Sequence, residues 1–244
     1  MFKPVIIIPC FNHSDAFKDF AVGIAELGIS TIVIDDGSAP SQSQHLRRIC
    51  AAYDFKYIHN SKNGGKGRAM QIGFDVAHDM GFTHGLQIDA DGQHDLADIK
   101  KFFELARENE KSLIVGDPLY DDSAPFARRI GRKITNFWVT VETLNLHMPD
   151  AMCGMRVYPL AETCAEMRHL RFYRMGFDIE ILVKLYWRGL GIITRPTRVI
   201  YPPNGTSNFK MLRDNLYIFL LHTYLCAIMP FGICKRIFNH GKRN

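Results

Sequence analysis

No cysteine here has a partner at the C-x-x-C spacing: Cys10, Cys50, Cys153, Cys164, Cys226 and Cys234 are scattered along the 244-residue chain. A zinc ribbon and a local dithiol redox site are thereby excluded. A G-x-x-x-x-G-K-[ST] phosphate loop, an internal repeat and a low-complexity linker are also missing. The opening Met1-Phe2-Lys3-Pro4 carries no leader of basic start and apolar stretch. These absences predict a reducing, cytoplasmic setting with free, mostly buried thiols. Charge of one sign is in short supply too. Thirty basic side chains against 25 acidic ones leave a net +5, which suits phosphorylated ligands or an anionic lipid surface. No basic strip interleaved with aromatics is present, so nucleic acid is not an expected partner.

What is present is alternation. Val5–Ile8, Thr31–Ile34, Phe55–Ile58, Gly85–Ile88 and Leu113–Val115 read as short strands, the first a continuous β-branched run of the kind covered on both faces. Between them, Ala69, Ile72, Val76 and Met80 share one helical face, as do Leu96, Ile99, Phe103 and Ala106. Strand–helix alternation predicts an α/β fold with an open, mostly parallel sheet flanked by helices and joined by right-handed crossovers. Further on, Arg128–Leu144 reads as a basic helix, Met155–Tyr158 as a strand, Phe177–Trp187 as a helix and Gly191–Ile200 as a strand. We expect one catalytic domain over residues 1–210 and a hydrophobic, basic-flanked helical tail over 211–244.

Acidic and glycine-rich residues collect where such sheets hold ligands, just after the strands. Asp89-Ala90-Asp91 follows an apolar strand and precedes Gly92-Gln93-His94. Two carboxylates at i and i+2 on a turn can face one cleft and hold a hard cation, Mg²⁺ or Mn²⁺, with positions left for phosphate oxygens. A helix start capped by Asp95 would read the same way. Asp35-Asp36-Gly37-Ser38 offers a carboxylate to a ribose or base edge, although an Asp-Gly turn needs those residues for backbone reasons alone. Asn63-Gly64-Gly65-Lys66-Gly67-Arg68-Ala69 places a lysine and backbone amides at a helix start, where a diphosphate can bind. An exposed loop with a charged tip has the same composition.

With the opening Ile8-Pro9-Cys10-Phe11-Asn12, these segments resemble glycosyltransferase family 2, of GT-A fold, nearest its dolichol- or polyprenyl-phosphate mannosyltransferase-like branch. Pro9–Asn12 matches the family's P-x-[YF]-N element, Asp35–Ser38 its DDGS, Asn63–Ala69 its N-x-G-K-G-x-A and Asp89–His94 its D-x-D-x-x-H. Cys153–Tyr158 is similar to its S-G-F-R-x-Y segment. The resemblance spans residues 3–210 by motif order. It implies base or ribose contacts at Pro9, Asn12 and Asp36, diphosphate contacts at Lys66, and metal–diphosphate contacts at Asp89, Asp91 and Gln93. His94 matches in spelling without a clear role.

The same resemblance implies an inverting transfer from a UDP- or GDP-linked sugar to an acceptor. In the lipid-phosphate branch, the strand after the metal motif ends in Gly-Ser-Arg; here Gly116-Asp117-Pro118 lacks that arginine, which weakens a lipid-phosphate acceptor. Arg128, Arg129 and Arg132 on the following helix can supply cationic contacts, or merely a solvated face. Transfer to a hydroxyl needs a general base, whereas a phosphate acceptor is already an oxyanion. Asp178 and Glu180 are the candidate bases; at i and i+2 on a helix, at most one faces the cleft. Glu180 is also spaced to pair with Lys184, and Asp178 to cap. The Pro203–Phe209 loop resembles a late G-x-S loop of lipid-linked sugar transferases.

Leu216–Ile233, 18 residues, falls near the lower limit for a bilayer-crossing helix of ~20 residues. His222, Pro230 and Asn215 argue against crossing, and flanking Lys210, Arg213, Lys235, Arg236, Lys242 and Arg243 favour an interfacial helix. The expectation is peripheral association at the cytoplasmic face of the inner membrane, with a buried helix as the alternative. Two other functions fit less well: a sugar-nucleotide nucleotidyltransferase, which would open with a Gly-rich loop, and a non-catalytic nucleotide- or membrane-binding module.

Overall fold

The computed structural model describes residues 1–120, 126–199 and 211–241. Seven strands form one sheet in the order β3-β2-β1-β4-β6-β5-β7. Its centre is β1 (Pro4–Cys10), whose Val5, Ile6, Ile7 and Ile8 are wholly buried, as a run covered by helices on both faces must be. β2 (Thr31–Asp36) and β3 (Lys56–Asn60) extend the sheet on one side, and β4 (His84–Gln87) on the other, all parallel. The crossovers are α1 (Ser14–Glu26), α2 (Pro40–Ala52) and α3 (Lys66–Asp79). Ala69, Met70, Phe74 and Ala77 turn α3 onto the sheet. Of the face expected from the periodicity only Ala69 is buried; Ile72 and Val76 are half-buried and Met80 is exposed, because the buried face is rotated towards Met70 and Phe74.

Beyond β4 the sheet is mixed. After α4 (Asp98–Glu108), β5 (Ser112–Tyr120) leads into α5 (Phe126–Thr143), and β6 (Arg156–Pro159) then runs antiparallel to both β4 and β5. A reversed strand presents its first residues at the edge where parallel neighbours present their last. Gln87 therefore lies opposite Arg156. Pro118 sits in β5 beyond the last β5–β6 pairing, where its missing N–H costs that ladder nothing. α6 (Leu160–Met167) follows, then α7 (Phe177–Trp187), and β7 (Gly191–Val199) closes the sheet beside β5.

All eleven residues of α7 are buried, including Asp178, Glu180 and Lys184. A helix enclosed on every side can carry such charges only if each has a partner. α8 (Met211–Gly241) begins where the tail was expected and lies against α5 and α7. The Pro203–Phe209 loop and the basic residues Lys210, Lys242 and Arg243 lie outside the described residues.

Candidate active site

The motifs converge at the edge formed by the C-terminal ends of β1, β2 and β4 and the start of β6. Direct contacts join them in sequence. Asn12 closes the first link: its N–H donates to Ser38 Oγ at 3.0 Å, and its Oδ1 accepts from Ala39 N–H at 2.8 Å. The tip of β1 is thus tied to the turn after β2. Pro9, half-buried, precedes it on β1.

The two acids of Asp35-Asp36 have separate tasks. Asp35, fully buried, accepts bonds from Ser38, Ser43 and Tyr57. Burial opposes its ionisation, but those donors outweigh it and bring the carboxyl down to about 2. Asp36 reaches forward to the glycine loop: Oδ1 accepts from Gly64 N–H at 3.0 Å and Oδ2 from Gly65 N–H at 2.8 Å. Gly37 between them has φ 73°, and a Cβ there would run into the backbone of Lys62 and Asn63. Ordinary turn chemistry and loop shaping thus account for both carboxylates.

Lys66, the first residue of α3, lies at the centre. Its Nζ is 2.8 Å from Asp89 Oδ1 and 2.8 Å from Asp178 Oδ2. The neighbouring carboxylates hold this ammonium strongly protonated even though burial opposes it. Asp178 is pinned by its surroundings: Gln87 Nε2 donates to Oδ1 at 2.8 Å, and Tyr158 Oη donates to Gln87 Oε1 at 3.2 Å. Burial raises its pKa, but the Lys66 and Arg156 charges and these bonds prevail and hold it below the ordinary carboxylate range. It does not cap α7, whose first turn has no side-chain cap.

Glu180 points elsewhere. It is fully buried, accepts from the N–H groups of Arg171 and Phe172, and pairs with Lys184 at 2.7 Å. The expectation that only one of these two acids faces the cleft matches this geometry, and the i+4 partner is the one the spacing suggested.

Asp89 and Asp91 follow β4 on either side of buried Ala90. Gln93 N–H donates to Asp91 Oδ1 at 3.1 Å, a turn contact that sets Gln93 beside the pair. Burial first, and then the Asp89 charge, push Asp91 up to about 6. Asp89 shares the Lys66 charge, whereas no ion pair to Asp91 is seen among the described residues, and a divalent cation beside it would supply one. Gly154 adds a second sign of fit, since a Cβ there would collide with the Asp89 carboxylate. Among the described residues no group of three His, Cys, Asp or Glu side chains converges as a metal site. Asp89, Asp91 and the Gln93 amide would therefore leave coordination positions for phosphate oxygens.

His94 is buried, with Nδ1 lacking a hydrogen-bond partner, and burial lowers its pKa to about 4. Asp95 accepts from Ala97 N–H instead of capping α4.

Two further residues escaped sequence reasoning. Arg156, with no exposed surface, donates to the carbonyls of Ala151, Cys153 and Asp178. It clamps the start of β6 to the start of α7. Gln87 orients Asp178 from β4. The available signal was the arginine of the Cys153–Tyr158 segment, already matched but given no role, and a lone glutamine inside an apolar strand. Of the three basic candidates, Arg132 is in an ion pair with Asp150 at 2.8 Å, Arg129 is exposed, and the Arg128 side chain lies outside the described residues.

An α/β sheet with a nucleotide-type crevice and paired acids after a central strand defines a class of sugar- or nucleotide-handling enzymes. The chain belongs to glycosyl transferase family 2, whose pattern matches residues 5–168. It is 23% identical over 214 residues to the UDP-N-acetylglucosamine–dolichyl-phosphate N-acetylglucosaminyltransferase of Methanococcus voltae, covering 80% of this chain and 85% of that one. Among solved structures, glucosyl-3-phosphoglycerate synthase of Mycobacterium tuberculosis with Mn²⁺, UDP and glucosyl-3-phosphoglycerate superposes with a TM-score of 0.65 at 13% identity, over 91% of this chain and 80% of that one. TarS residues 1–349 of S. aureus with UDP-GlcNAc gives a TM-score of 0.62 at 13% identity, covering 98% and 72%. The fold is GT-A and the chain is a glycosyltransferase.

Proposed function

We propose that this enzyme transfers a sugar, with inversion, from a UDP- or GDP-linked donor to a lipid phosphate, assisted by Mg²⁺ or Mn²⁺. The carrying observation is the state of the candidate bases. Asp178 is held ionised by Lys66, and Glu180 is enclosed by three donors and facing away from the cleft. Neither is free to take a proton from a hydroxyl, and a phosphate acceptor has none to give up. The Methanococcus voltae relative, which acts on a dolichyl phosphate by its name, supports the same acceptor class.

In this reading Asp89, Asp91 and Gln93 would hold the cation, which when bound would supply Lewis-acid neutralisation of diphosphate charge. Lys66 contacts the diphosphate, Asp36 shapes the glycine loop around it, and Pro9 and Asn12 border the base or ribose. Asp178 keeps Lys66 in place. The acceptor oxygen attacks the anomeric carbon from the face opposite the diphosphate, so one C–O bond forms as another breaks. The exposed Arg129, with Arg128 before it in the sequence, is offered to the acceptor phosphate, since Pro118 stands where an arginine was expected.

A hydroxyl acceptor is the second reading, with Asp117, exposed near the end of β5, as the base to test. Incubating enzyme, Mn²⁺ and labelled UDP- or GDP-sugars with polyprenyl phosphate or with free polyprenol separates the two. Transfer to the phosphate alone supports the proposal. Transfer to polyprenol that is lost in Asp117→Asn would replace it with the second reading.

A further inference from the structure

Two neighbouring helices each bury one side and expose a second apolar face. On α5 the side facing the protein carries Arg132, Thr135, Glu142 and Thr143, while Ile130, Ile134, Phe137 and Trp138 are exposed. Positions i, i+4, i+7 and i+8 form one stripe. On α8 the inward side buries Ile218, Leu221 and Leu225 with Asp214 and His222 among them, and the outward side exposes Leu212, Leu216, Phe219, Leu220, Phe231 and Phe238. At 100° per residue these share one stripe, free of charge for about 40 Å. Of the most apolar 18-residue window of α8, only 22% is buried, unlike a core helix. His222 Nδ1 meets Glu142 Oε1 at 2.7 Å and Trp138 lies 6.3 Å from the His222 ring, so the stripes sit side by side.

We infer that the exposed faces of α5 and α8 form one surface that lies flat on an anionic bilayer, with α8 in the interface and not across it. α8 is fastened to the domain along its length: Tyr217 packs against Phe172 with ring centroids 4.9 Å apart, His222 meets Glu142, and three more contacts follow near the C-terminal end. Lys235 reaches Glu166, Arg236 donates to Tyr186 O and Asn239 donates to Arg188 O. A helix held along its length cannot also stand upright in lipid. Basic groups border the patch on both outer edges, Arg129 and Lys133 on α5 and Arg213 on α8, a distribution complementary to anionic headgroups. The inference deepens the lipid-phosphate reading, yet its test uses no sugar donor, so either can fail alone.

The full chain is sedimented with phosphatidylcholine vesicles with and without phosphatidylglycerol. Binding should be stronger to the anionic set. Ile134→Asp with Phe137→Asp, or Phe219→Asp with Leu220→Asp, should each weaken it roughly tenfold or more, with UDP-induced thermal shifts retained. Fluorophores on Leu216→Cys and on the exposed native Cys234, in a Cys226→Ser background, should be quenched at equal depth by lipid-borne quenchers. A depth difference of about 27 Å would mean a spanning helix. Native binding by the α5 variant would remove α5 from the surface. No vesicle binding, with a dimer that the same variants dissolve, would make the partner a second copy of this chain.

Discussion

Gly154 stands against the Asp89 carboxylate so closely that any side chain there would displace it. Gly154→Ala should therefore leave the fold intact, by circular dichroism, while moving a proposed metal ligand. Misplacement by about 1 Å can cost on the order of 10²-fold in rate. We expect a loss of that size in kcat with weakened Mn²⁺ binding; unchanged kinetics would remove Asp89 from the site.

With Asp91 as a proposed metal ligand, cation binding should depend on pH. Its carboxyl is raised to about 6, so it is protonated below that pH and must lose the proton to bind metal. Mn²⁺ affinity of the nucleotide-free enzyme should fall about tenfold per pH unit below pH 6 and flatten above it. The linkage to stability has the opposite sense. A raised folded-state pKa adds stability that is complete below the unfolded value of about 3.9 and is lost as pH rises through 6. Calorimetric titrations of Asp91→Asn, whose residual affinity should be pH-independent, check both.

Lys66→Met leaves Asp89 and Asp178 without their shared cation. Breaking a fully buried pair costs ~3–5 kcal/mol. The Lys66 side chain is 24% exposed, so about 2–3 kcal/mol is expected. Adding Asp178→Asn should restore much of the melting temperature without restoring activity. Additive losses in that double-mutant cycle would mean the pair is not coupled.

His222→Phe tests the fastening of α8. Burial raises the Glu142 carboxyl, while the His222 hydrogen bond and charge oppose that rise. Without His222 the folded-state pKa climbs further, so stability is lost as pH rises. The variant should fall short of the native protein by about 2–4 kcal/mol at pH 8 and by less at pH 5. A deficit independent of pH would show that only packing was lost.

The strands were legible because β-branched runs need no tertiary information to be recognised. The motif order from Pro9 to His94 placed the crevice, since an open parallel sheet puts all such loops at one edge. Direction was not legible for β6: Arg-Val-Tyr-Pro carries no mark of running backwards. Nor was the position of Lys66, whose two carboxylate partners come from β4 and α7, far along the chain. α5 read as a basic helix from Arg128, Arg129 and Arg132. Its periodicity contained an apolar stripe as well, but periodicity does not say which way a stripe faces.

Because β6 runs against its neighbours, the chain leaves the crevice at the end of β5 and returns to it at Arg156. Everything between is an excursion that starts and ends at the same rim. Its α5 portion, ahead of the return stretch that holds Gly154, is where length or sequence should change without shifting Asp89. The architecture is thus modular: a fixed donor half, and a replaceable cassette containing α5 through which one scaffold can be adapted to different acceptors.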